Sequence, residues 1–119
     1  MADPGAPSRD TPAHAAAEAR LHAVAGAFAD RPGVVLPASG GRHFGTATLR
    51  VHGRIAAFTP GDHLVVKLPA ARVAALVASG EGLPFPDGRP PMREWVAVVS
   101  DDPGVWSDVL DEALMYVAG

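Results

Sequence analysis

A chain of 119 residues is long enough for one domain with a real core and too short for two. Only 19% of residues are charged and the formal net charge is −3, which argues against a disordered acidic chain and against a globally basic nucleic-acid binder. Cysteine is absent, so disulfides, zinc–thiolate sites and a thiol nucleophile are all excluded.

Residues 1–10 are rich in Pro, Ala and Gly without periodicity and read as a mobile tail, leaving residues 11–119 as a single domain. They contain no signal-peptide core, and no apolar run in the chain is long enough to span a bilayer, so a cytoplasmic protein is expected. Thr11-Pro12 is a helix start: Thr caps orphan N–H groups and Pro fits the first helical position. Ala17, Leu21, Val24 and Phe28 recur at helical spacing, and Pro32-Gly33 closes the helix near Asp30. Val34-Val35-Leu36 reads as a short strand or extended lead-in, followed by a glycine-rich loop over residues 37–45.

Residues 46–69 hold three apolar runs parted by His52-Gly53 and by Pro60-Gly61-Asp62, the pattern of a three-stranded antiparallel meander. A two-residue turn at His52-Gly53 sets Val51 opposite Arg54, Leu49 opposite Ala56 and Ala47 opposite Phe58. A three-residue loop then pairs Phe58 with Leu64 and Ala56 with Val66, because this register gathers the apolar residues on one inner face. Phe58 is thereby expected in the core. Arg50, Ile55, Ala57, Val65 and Lys67 are expected on the outer face, with Thr59 and His63 at its far end.

Pro69 opens a second helix with Val73, Leu76 and Val77 inward and Gly80 as its left-handed cap. Residues 82–91 contain four prolines and allow only a loop or a broken edge strand. Residues 92–100 read as an interior strand, apolar on both faces, with Trp95 and Ala97 opposed to Val96 and Val98. Asp101-Asp102-Pro103 starts a last helix whose apolar face is Trp106, Val109, Leu110, Ala113, Leu114 and Val117, with Asp108, Asp111 and Glu112 toward solvent. The fold class is therefore α+β: a meander plus one or two further strands, packed with three helices in the order α-β-β-β-α-β-α.

Candidate chemistry is sparse. The five histidines form no HExxH or His-x-His pattern, the loop around Gly40-Gly41 lacks a phosphate-binding signature, and no serine sits on a nucleophile elbow. A non-enzymatic protein without cofactor or metal is expected. The charge distribution says more. Arg42, Arg50, Arg54, Lys67 and Arg72 face only Asp62 in the middle of the chain, whereas Asp101, Asp102, Asp108, Asp111 and Glu112 follow with no cation. Arg42, His43, Arg50, Arg54, His63 and Lys67 are the candidate binding residues, because a basic, partly apolar sheet face suits a partner surface, a dimer interface or a phosphate-bearing ligand.

Several spaced features, His43-Phe44-Gly45, Leu49-Arg50-Val51, Gly53-Arg54-Ile55-Ala56, Lys67-Leu68-Pro69, Gly80, Pro91 through Val96, Trp106, Ala113 and Tyr116-Val117, together resemble the N-terminal domain of the TfoX/Sxy family, and more distantly the YjbR/MmcQ group. His43 stands where that family commonly has Met, and Arg54 where it has Lys. The resemblance implies a compact domain of secretion-chaperone-like layout, a link to competence regulation, and no catalytic residues. The expected function is binding to a protein partner or a second copy; the alternative is a DNA-associated regulator using Arg50 and Lys67. No membrane association or small-molecule substrate is evident in the sequence.

Overall fold

The computed structural model describes residues 12–37, 47–86 and 92–119. The expected tail, the Thr11 cap, most of the glycine-rich loop with Arg42 and His43, and Pro90-Pro91 lie outside these residues. The chain forms α1 (Pro12–Ala25) with a 3₁₀ turn (Gly26–Phe28), β1 (Val34–Val35), β2 (Thr48–Val51), β3 (Arg54–Phe58) and β4 (Leu64–Lys67). It continues with α2 (Ala70–Ser79), β5 (Gly82–Pro84), β6 (Trp95–Val98) and α3 (Pro103–Ala118). The α+β class and element order agree with the sequence pattern, and two short edge strands bring the sheet to six.

All strand pairs are antiparallel, in the order β1-β2-β3-β4-β6-β5. After the meander, α2 carries the chain across to the edge strand β5, and β6 returns into the slot between β4 and β5. Asp102 caps α3 by accepting from the Gly104 N–H at 3.0 Å, with Pro103 in the first turn. Gly80 ends α2 at φ 84, and its N–H closes on carbonyls of the last turn, as a left-handed cap should.

All three helices contribute to a single core on one face of the sheet. α2 packs on β5 and β6, α3 on β2, β3 and β4, and α1 lies along α3. Trp106, Leu110, Ala113, Leu114, Leu21, Leu49, Leu64, Val66 and Val96 are buried together there. Trp106 donates its indole N–H to the Ser100 carbonyl at 2.7 Å, which leaves its single polar group satisfied inside the core. His14 is also buried, its Nε2 donating to the Thr59 carbonyl at 2.9 Å and lying 3.5 Å from Glu18 Oε2. Thr59 is thus held against α1 and is not on the outer face where alternation had set it.

The meander departs from the expected register at one residue. The His52-Gly53 turn has positive φ at both positions, 52 and 78, and sets Val51 opposite Arg54 as expected. Next, Arg50 pairs with Ile55, but Leu49 pairs with Ala57 rather than Ala56, so Ala56 is the extra residue of a β-bulge. Beyond the bulge every side chain of β3 changes face. Ala57 joins Ala56 in the core, opposite Val66, while Phe58 pairs with Val65 and turns outward, half-buried. The expected pairs Phe58–Leu64, Ala56–Val66 and Ala47–Phe58 are therefore incorrect; strict alternation fails because the strand contains a bulge.

Candidate functional site

The bulge brings Phe58 onto the outer face of the sheet. Thr48, Phe58, Val65, Ala97 and Leu83 follow one another across five strands as one row of that face. Lys67 and Trp95, paired across β4 and β6, form part of the adjacent row. Phe58 meets Phe85 edge-on at 5.8 Å between ring centroids and Trp95 at 5.6 Å, the geometry that the aromatic quadrupole favours. Lys67 Nζ lies 5.7 Å from the Trp95 ring centroid. Val65 and Ala97 are buried in this row, the three aromatic rings are half-buried, and Leu83 is exposed. Among the described residues no helix packs here.

One end of the sheet gathers charge. Arg54 begins β3, Lys67 ends β4 and Glu94 precedes β6, and all three line a cleft of about 530 Å³ with Tyr116, Val117, Ala118 and Gly119 at the end of α3. Lys67 Nζ is 3.9 Å from Glu94 Oε1, and the Glu94 carbonyl accepts from the Leu68 N–H at 3.0 Å, which fixes Glu94 beside the strand. The Tyr116 phenol is held above its ordinary pKa, first because it is partly desolvated and then because it donates to the charged Glu94 carboxylate. Arg54 is exposed and has no ion-pair partner among the described residues.

Of the sequence candidates, Arg54 and Lys67 therefore line one cleft at this end of the sheet, and Arg50 does not line it. Arg50 is exposed, opposite Ile55, its Nε donating to Thr48 Oγ1 at 3.3 Å. His63 is at the other end, in the connection to β4, with Nε2 3.8 Å from Asp62 Oδ1. Arg42 and His43 lie outside the described residues. The acids of α3 are less solvated than expected: Asp111 pairs with Arg31, and Glu112 accepts from Arg72 Nε at 2.9 Å and Nη2 at 3.2 Å, all half-exposed. That bond to Glu112 is the main reason the Arg72 guanidinium pKa is raised.

Sequence reasoning missed Glu94 and Tyr116 as site residues and placed Phe58 in the core. Tyr116 did carry a signal, since it lies off the apolar stripe of α3. A further apolar groove of about 660 Å³, also missed, runs between α2 and β6, walled by Ala70, Ala74, Val77, Pro84, Met92 and Trp95. Among the described residues no group of three or more His, Asp or Glu side chains could hold a metal, and no helix is long and apolar enough to cross a membrane. No family model matches the chain, nor does any curated protein or solved structure.

Proposed function

We propose that this chain is a non-enzymatic, cytoplasmic binding domain of the TfoX N-terminal type, which docks the outer face of its sheet on an acidic surface of a protein partner. The observation that carries this reading is the outer row itself. Among the described residues the helices pack on the opposite face, while Phe58, Phe85 and Trp95 form a half-buried aromatic cluster with Lys67 on the Trp95 ring and Arg50 exposed nearby. Aromatic anchors with cations at their rim are the composition that concentrates binding energy at protein interfaces. The rim cations make acidic chemistry the complement, although the molecule as a whole carries −3.

With the two short edge strands β1 and β5 set aside, the element order is α-β-β-β-α-β-α, and Lys67-Leu68-Pro69, Gly80, Trp95-Val96 and Tyr116-Val117 fall at or near element ends, an arrangement compatible with the TfoX type. A DNA-associated role is the less favoured reading, because Lys67 is shared with Glu94 and, among the described residues, no helix lies on the basic face to read base edges. The test is affinity capture from lysate with the wild-type chain and with Arg50→Glu/Lys67→Glu and Trp95→Ala. Each captured protein is then purified and titrated at two salt concentrations. Binding that weakens at least about tenfold in both variants, and falls with salt, supports docking through this face. A partner bound equally by all three proteins overturns it. Sequence-dependent binding of a DNA fragment, lost on the same charge reversals, promotes the DNA reading.

A further inference from the structure

The geometry points to a second site, which shares Lys67 with the outer face: the cleft at the end of α3 binds a small organic oxyanion, a carboxylate or phosphate head on a compact body, through Arg54 and Lys67. Its size of about 530 Å³ lies within the range of ligand pockets, and inorganic phosphate alone would leave most of it empty. Its walls divide by chemistry. Arg54 and Lys67 supply two cations, and Val117 and Ala118 supply a small apolar wall.

Glu94, whose side-chain carboxylate lines the wall, is already engaged by Lys67 on one side and by the Tyr116 phenol on the other. Arg54 is left with its guanidinium unpaired among the described residues, in a chain where Arg31 and Arg72 each reach an acid. A planar guanidinium free to take two parallel hydrogen bonds is the donor that carboxylates and phosphates fit best. Arg54 reaches the cleft because the tight His52-Gly53 turn sets it opposite Val51, on the face that α3 covers. The site is thus made where that turn meets the last turn of α3.

Tyr116 is the chain's single tyrosine and lines the cleft, so its ring resonances report the site without assignment. The experiment titrates the full chain with benzoate, phenyl phosphate and inorganic phosphate at constant ionic strength, following the Tyr116 ring by NMR, with sodium chloride as the reference. The expected result is a saturable shift with benzoate or phenyl phosphate in the millimolar range. The preferred head identifies the ligand as a carboxylate or a phosphate ester. Arg54→Gln and Lys67→Gln each weaken the response at least about tenfold, the loss of one charge-assisted hydrogen bond. Glu94→Gln leaves it as strong or strengthens it, since a competing carboxylate is gone. Shifts reproduced by chloride, or unchanged in Arg54→Gln, overturn the proposal. So does a site that takes anilinium and loses it in Glu94→Gln, which is a cation site. All three side chains are at least partly exposed, so the variants fold, and their melting curves verify it.

Discussion

At the scale of single residues, the two most informative aromatics are Tyr116 and Phe58. A phenol held above its ordinary value of 10.0 stabilises the fold in its neutral form. That contribution is complete below the unfolded tyrosine pKa and is lost as pH rises through the folded one. A 295-nm absorbance titration should therefore place Tyr116 above free tyrosine, and Glu94→Gln should bring it back toward 10.0. A Tyr116 titration unmoved by that substitution would separate the phenol from Glu94. Phe58 makes a different point, because the bulge at Ala56 sends it outward. Phe58→Ala should cost about 1–3 kcal/mol in urea unfolding, whereas Trp106→Ala, fully inside the core, should cost about 3–5 kcal/mol. Equal costs for the two would return Phe58 to the interior.

Among the elements, the legible ones are those whose signal is local. Pro12 marks the start of α1, and Asp102 and Gly80 mark helix ends through capping chemistry, while the stripes Ala17-Leu21-Ala25 and Trp106-Leu110-Ala113-Val117 follow helical spacing. The bulge is not local. Ala56 and Ala57 are both small and apolar, and nothing in their order says that two consecutive residues of β3 enter the core. That single insertion decided the outer row, so the aromatic cluster and its neighbour Lys67 could not be read together. The local excess of cations singles out Arg50, Arg54 and Lys67 as candidates; Glu94 and Tyr116 come beside Lys67 only through pairing of distant segments. A tertiary lock of the same kind joins β1 to the first hairpin. His52 N–H donates to the Gly33 carbonyl at 2.9 Å, and a Cβ on Gly33 would sit 2.3 Å from the His52 ring. With φ at +78, Gly33→Ala should lose about 1–2 kcal/mol from backbone strain and more from the clash. His52→Gly should relieve the clash and leave the strain, giving a double-mutant coupling of about 1 kcal/mol or more. Additive costs would mean that the ring moves aside freely.

Across the whole molecule, α3 holds the parts together: it touches β2, β3, β4 and α1, and its acids pair with Arg31 after α1 and with Arg72 on α2. Those ion pairs are half-exposed, so each should contribute less than about 1 kcal/mol and fade in salt. The apolar face of the helix contributes far more. A chain stopped before Trp106 should lose cooperative thermal unfolding, because too little buried area remains to offset the ordering of the backbone; a sharp transition in that truncated chain would show α3 to be an appendage. The sheet ends in two-residue β1 on one side and in three-residue β5, with Pro84, on the other. Such edges expose few backbone groups in register, and proline removes one donor outright. Polymerisation by strand addition is thereby disfavoured at both flanks, so concentrated solutions should stay free of thioflavin-positive fibres, and self-association should run through the faces of the sheet rather than its edges.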